Sequence, residues 1–169
     1  GEPEAGKTTL LSVLARLAPQ QAGMIAVERA GVMHLPDEAR RLTIQWAMAD
    51  DEVEQAAISF DEQIQAALND EAVTCVLVDE VRADGAAAIG PLLAAESAPR
   101  QMWAFRGPVS AKRLTSALGM LARRSVDDVS LGEARVNALY QSLPFVVTLR
   151  RRDNRLMLYG VAEWQYLDD

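Results

Sequence analysis

The stretch AVTCVLVDE, residues 72–80, constrains the fold of this chain more than any other. Val73, Cys75, Val76, Leu77 and Val78 form a near-continuous β-prone run that ends in two carboxylates, Asp79 and Glu80. A strand with one face in water alternates apolar and polar residues. A strand apolar on both faces needs cover on both, which is the situation of a central parallel strand in an α/β protein. The rest of the chain fits that class. TTLLSVLARLA, after residue 7, places Leu10, Leu11, Val13, Leu14 and Leu17 at helical spacing, and Pro19 ends the segment. GMIAVE (23–28) reads as a buried strand, and RLTIQWAM (41–48) as another, followed by an acidic exposed loop over 50–55.

SFDEQIQAALND carries Ser59 with Glu62 three residues on, which predicts a helix opened by a capping box. Further helices are predicted over 84–95, bent or started at Gly90-Pro91, over 109–124, and over 130–143 with Ser130 and Glu133 as cap. A strand over 100–107 lies among them, and FVVTLRRRDNRLMLYGVAEWQ reads as two strands about an Asp153-Asn154 turn. Strands alternating with helices predict one α/β domain over 1–169, with a mostly parallel sheet, helices on both faces and a C-terminal antiparallel hairpin.

Half of the 169 residues are hydrophobic, enough for a sizeable core. The one cysteine, Cys75, lies in the central apolar run, so it is read as core filler and no disulfide framework exists. There is no apolar run of bilayer-spanning length and no signal-peptide pattern. The net charge of −7 is uneven: residues 1–99 carry −11 and residues 100–169 carry +4. The basic half holds Arg123-Arg124 and Arg150-Arg151-Arg152, but no stacking series of aromatics is interleaved with them. Composition therefore speaks against nucleic acid as the main partner. His34 is the sole histidine and is read as a loop or packing residue, and no metal-ligand spacing of His and Cys exists. Trp46, Trp103 and Trp164 fall on expected strands and are read as core or interface residues.

GEPEAGKT, residues 1–8, fits G-x-x-x-x-G-K-[ST], the Walker A pattern of a phosphate-binding loop. In such a loop successive backbone N–H groups line a concavity in front of a helix N-terminus. The nucleotide-binding candidates are Gly1, Glu2, Pro3, Glu4, Ala5, Gly6, Lys7, Thr8 and Thr9. Gly6 lets the backbone approach, Lys7 reaches the terminal phosphates, and the Thr8 hydroxyl is a ligand for Mg²⁺ bound with ATP. Glu2 and Glu4 lie within a Debye length of any bound polyphosphate and predict weakened affinity. If φ is positive at Glu4, that residue is strained. A strand normally precedes such a loop and none precedes it here, so the expectation is a domain lacking that strand and any upstream domain, with Gly1 to Ala5 mobile.

The second element is the end of the central strand. Asp79 and Glu80 emerge at the sheet's C-terminal edge, where a nucleoside triphosphatase keeps a Mg²⁺-holding Asp and a Glu that orients or deprotonates water. On this reading Asp79 is a metal ligand and Glu80 the catalytic residue.

In order of elements the chain resembles the nucleotide-binding domain of the type II and type IV secretion ATPases, the VirB11/CpaF-like group, which has a RecA-like P-loop core. MIAVERA stands where that family has an acidic box, with Glu28 matching its Glu and Arg29 replacing its Asp. RLTIQW begins at Arg41 where the family has an arginine-bearing strand. LVDEVRA matches its Gly-Glu-Val-Arg box at Glu80 and Arg82, with Asp79 in place of Gly, and SAKRLTSAL matches a later helix at Arg113. Where the family carries a histidine box this chain reads WAFRGP, with Arg106 near that position. The resemblance implies an ATPase motor in a homohexameric ring, cytoplasmic and peripheral at the inner face of the membrane, serving a secretion or pilus machine. It adds Glu28 as a further candidate Mg²⁺ ligand and Arg41 and Arg82 as arginine sensors. Two other readings stay open. One is a nucleotide-binding interaction module with little or no hydrolysis, favoured by the missing histidine box. The other is a nucleic-acid-dependent ATPase.

Overall fold

A computed structural model describes residues 1–19, 21–44, 58–82, 86–94, 99–108 and 110–164. Among them the chain runs through α1 (Lys7–Leu17), β1 (Met24–Glu28), β2 (Arg40–Thr43), α2 (Phe60–Leu68), β3 (Cys75–Val81), α3 (Ala86–Ala94), β4 (Arg100–Phe105), α4 (Ala111–Arg123), α5 (Val129–Ser142), β5 (Phe145–Arg152) and β6 (Arg155–Glu163). Strands β1 to β4 form one parallel sheet in the order β2-β1-β3-β4, and β5 and β6 pair as an antiparallel hairpin.

The central run behaves as its composition demands. Residues Cys75 to Asp79 are all buried. Val76 and Val78 join Ile25 and Val27 in a cluster with α2, α3, α4 and α5. Cys75 and Leu77 point the other way and join Met24, Ala26 and Ala104 under Leu11 and Ala15 of α1. Strand alternation thus feeds two cores, one on each side of the sheet. Burying each Val, Ile and Leu of this layer is worth about 1.5–3 kcal/mol. The strand begins at Cys75 because Asp70 organises a turn before it, accepting from the Ala72 N–H through its side chain and from the Val73 N–H through its carbonyl.

Other segments depart from expectation in instructive ways. Strand β2 is described from Arg40 to Thr43, and the remainder of the expected strand with Trp46, like the acidic loop at 50–55, lies outside the described residues. Helix α2 has the predicted capping box, with both reciprocal Ser59–Glu62 hydrogen bonds made. Helix α3 runs through Pro91 without ending there. Helix α5 starts earlier than predicted: Asp128 is its N-cap, accepting from the Leu131 N–H, and Ser130 lies inside the helix. An aspartate two residues upstream is the better cap because its charged oxygen suits the positive helix N-terminus. Glu133 instead takes a fork of hydrogen bonds from Arg123 of α4. Trp103 packs against the core, and Trp164 stacks at a tilt on Tyr140.

Helix α1 buries a narrower stripe than its leucines predict, since Val13 and Leu17 are exposed. Leu10 and Leu14 face an apolar cavity of about 310 Å³ beside β4, shared with Leu118 and Leu139 and with Val147 of the hairpin. Gly1 meets this edge of β4: its N–H donates to the Phe105 carbonyl at 3.2 Å, and its carbonyl accepts from the Gly107 N–H at 3.2 Å. That pair of bonds flanking one residue is the pattern of a parallel bridge. The loop's leading edge, expected to be unheld, is tied to the sheet.

Candidate functional site

The loop over 1–8 turns into α1 through two left-handed residues. Gly6 is the helix N-cap at φ 81°, and Glu4 sits at φ 55°, so the strain anticipated at Glu4 is present. Glycine suits the left-handed backbone at position 6, and the hairpin packs closely on it. A Cβ there would lie 2.8 Å from a methyl of Leu156 on the hairpin. The hairpin turns back at Asp153 and Asn154, both at positive φ, as a two-residue turn requires, and its tip lies over the loop.

Thr8, in the first turn of α1, reaches the end of β3. Its hydroxyl stands 3.1 and 3.0 Å from the two oxygens of Asp79. Lys7 donates to the Glu2 carbonyl at 2.7 Å, with its ammonium 3.5 Å from Glu80. Arg82 holds the other oxygen of Glu80 through Nε and a terminal nitrogen, both at 3.1 Å. Arg29, at the exit of β1, donates from Nε to the Glu80 carbonyl and lies 4.4 Å above the Phe60 ring. These side chains line one cavity of about 570 Å³ with Glu4, Gly6, Thr9, Arg151, Asn154 and Leu156. Burial pushes the Asp79 carboxyl pKa up from its ordinary value, with Thr8's hydrogen bond pulling it partly back and Glu28 and Glu80 adding to the rise.

Glu28 is fully buried at the end of β1, beside Asp79 in the sheet register. One oxygen accepts from the Met33 N–H at 2.8 Å and the other from Arg41 Nε at 2.8 Å. Arg41 also donates to the Met33 carbonyl. This closed set ties β1, β2 and the intervening loop together. Neither Glu28 nor Arg41 lines the cavity, whereas Arg82 does. Gly1, Glu2, Pro3 and Ala5 do not line this cavity: Glu2 and Pro3 are exposed and Ala5 is fully buried. The His34 backbone N–H donates to Ser12 Oγ, which itself donates to the Thr8 carbonyl, so the loop at His34 is tied to α1. Arg106 is exposed, and its backbone N–H continues the sheet by donating to Val81.

Sequence reasoning missed Arg151, Asn154 and Leu156 as neighbours of the loop. The run Arg150-Arg151-Arg152 is visible as a basic cluster, but nothing local says that the hairpin folds back onto residues some 145 positions earlier.

The oxygen donors converging here are a hydroxyl and carboxylates at a helix N-terminus. That set fits Mg²⁺, which takes one or two protein ligands and completes its shell with water and phosphate. No cluster of three or more His, Cys, Asp or Glu that could cage a metal is found among the described residues.

Fold and cavity together define an α/β protein with a parallel sheet and a polar pocket at the carboxyl ends of β1 and β3, beside the N-terminus of α1. Among solved structures this fold matches the VirB11 ATPase from the Brucella suis type IV secretion system, crystallised in complex with sulphate, at a TM-score of 0.72 and 18% identity. The match covers 96% of this chain and 46% of that one, so the chain spans less than half the length of that protein. At this identity the likeness is one of fold. No protein-family model matches the chain, and no curated protein matches it in sequence. No helix among the described residues is long and apolar enough to cross a membrane.

Proposed function

We propose that this chain is a RecA-like P-loop domain that binds ATP with Mg²⁺ and hydrolyses it, as part of a motor of the secretion or pilus-assembly type. The observation that carries the reading is the approach of the Thr8 hydroxyl to Asp79 beside the Lys7 ammonium, in a cavity at the N-terminus of α1. The backbone N–H groups of the loop and of the first turn of α1 bind phosphate oxygens. Lys7 leaves the Glu2 carbonyl for the terminal phosphates. Thr8 and Asp79 are the residues that would hold Mg²⁺. Held by these residues, Mg²⁺ would supply positive charge to offset the phosphates and the buried Asp79 carboxylate. Glu80, oriented by Arg82, takes the proton of the attacking water. Glu28 supports Asp79 from the neighbouring strand and adds negative charge toward the cation. Of the proposed sensors, Arg82 acts on Glu80 directly and Arg41 acts through Glu28.

The fold likeness to a secretion ATPase supports a role as one subunit of a hexameric ring at the cytoplasmic face of the membrane. The exposed apolar side chains of the hairpin, Phe145, Leu156, Leu158, Tyr159 and Val161, are suited to contacts between subunits. Two observations favour a second reading, nucleotide binding with little turnover. Glu80 is engaged by both Lys7 and Arg82, and no histidine stands where the family has its box.

The test is ATP binding and phosphate release by the intact chain with Mg²⁺, beside Lys7→Ala and Glu80→Gln. Binding lost in Lys7→Ala and turnover lost in Glu80→Gln support the ATPase. Turnover no greater than that of Glu80→Gln leaves the binding module. A wild type that binds no ATP overturns both readings.

A further inference from the structure

We infer that Arg151, on the C-terminal hairpin, is a polyphosphate-binding residue of the loop cavity, exchanged between Glu4 and the phosphates of a bound nucleotide. The inference rests on the nucleotide reading and adds to it a binding residue from an element that the loop motif does not include.

Four cations line the cavity: Lys7, Arg29, Arg82 and Arg151. Three of them are engaged by groups at the end of β3. Arg29 holds the Glu80 carbonyl and covers Phe60, Arg82 forks onto the Glu80 carboxylate, and Lys7 stands beside that same carboxylate. Arg151 differs. One terminal nitrogen lies 3.3 Å from Glu4 and the other donates to the Asn154 side chain at 2.6 Å. Glu4 is 82% exposed, so the ion pair sits largely in water, where such pairs contribute little. A phosphate in the cavity offers a stronger alternative, because a guanidinium meets phosphate oxygens with two parallel charge-assisted bonds.

Strand geometry selects Arg151 from the three consecutive arginines. Side chains alternate along β5, so Arg150 and Arg152 leave on the opposite face. Arg150 lies 3.9 Å above the Tyr159 ring, and Arg152 sits by Asp153 in solvent. Arg151 is paired across the hairpin with Leu156, the residue packed on Gly6, so the contact that seats the hairpin on the loop also aims Arg151 at the cavity. Glu4 then has a role as well. It neutralises Arg151 in the absence of nucleotide and competes with the phosphates for it.

The test is equilibrium binding of ATP and AMP with Mg²⁺ to the full chain, comparing wild type with Arg151→Ala, Arg151→Lys, Glu4→Gln and the Glu4→Gln/Arg151→Ala pair. Lys7→Ala serves as the control for the cavity itself, and far-UV circular dichroism checks that each variant is folded. Losing a charge-assisted contact predicts ATP binding weaker by about tenfold in Arg151→Ala. AMP binding changes far less, and Arg151→Lys recovers part of the loss. Glu4→Gln tightens ATP binding, and that gain shrinks when Arg151 is absent. ATP binding unchanged in Arg151→Ala but lost in Lys7→Ala overturns the role of Arg151 and leaves the nucleotide reading standing. Equal losses for ATP and AMP overturn contact with the β- and γ-phosphates as its basis. A wild type that binds no ATP overturns this inference together with the reading beneath it.

Discussion

Thr8 and Asp79 stand 71 residues apart in sequence, and the Thr8 hydroxyl lies 3.0 and 3.1 Å from the two carboxylate oxygens of Asp79. One residue belongs to the first turn of α1 and the other to the end of β3. Their meeting joins the loop to the acidic strand end.

Thr8→Ala removes one proposed Mg²⁺ ligand and leaves the backbone cradle in place. ATP affinity in the presence of Mg²⁺ is expected to fall by about tenfold, the worth of one contact to a charged group. Affinity measured in EDTA is expected to change much less. Isothermal titration under the two conditions checks this, and equal losses in both would remove Thr8 from the metal site.

Asp79→Asn tests the cost of the buried carboxylate. Burial raises the Asp79 pKa in the folded state, so the folded protein binds its proton more readily than the unfolded chain. The penalty is therefore absent below the ordinary carboxylate range and sets in as pH rises through the raised pKa. Without metal, Asp79→Asn is expected to melt above wild type at neutral pH, with the difference closing as pH falls. Mg²⁺ with nucleotide is expected to raise Tm of the wild type more than of the variant. Thermal melts across pH check both.

Arg41→Ala leaves Glu28 as a fully buried carboxylate with the Met33 N–H as its remaining partner. Breaking a buried pair from one side costs about 3–5 kcal/mol, and roughly 2–3 kcal/mol is expected here because Arg41 is 40% exposed. Adding Glu28→Gln removes the orphaned charge and is expected to restore about half of the loss. Urea unfolding of the two single variants and the double variant measures the coupling.

Gly6→Ala combines a left-handed backbone at φ 81° with a Cβ placed against Leu156. The backbone term alone is about 1–3 kcal/mol. A second substitution, Leu156→Ala, is expected to relieve the steric part and not the backbone part. Urea unfolding of Gly6→Ala with and without Leu156→Ala measures the steric part, which vanishes if the half-exposed Leu156 side chain swings aside.

The elements of this protein were legible because each carries a local signal. The run at 73–78 specifies a strand covered twice, Ser59 with Glu62 specifies a helix start, and Asp153-Asn154 specifies a hairpin turn. These features follow from hydrophobic period and backbone chemistry, which a short window contains. The loop pattern at 1–8 and the carboxylates at 79–80 are each visible in a short window as adjacent residues, and the structure brings the two together at Thr8 and Asp79. Tertiary structure alone decided who meets whom. It brought Arg151 and Leu156 over Glu4 and Gly6, closed Glu28 against Arg41 and Met33, and bound Gly1 to the edge of β4. Each of these contacts depends on where whole elements pack, which is set by the summed burial of two cores on either side of the sheet. No single side chain along the chain carries that information.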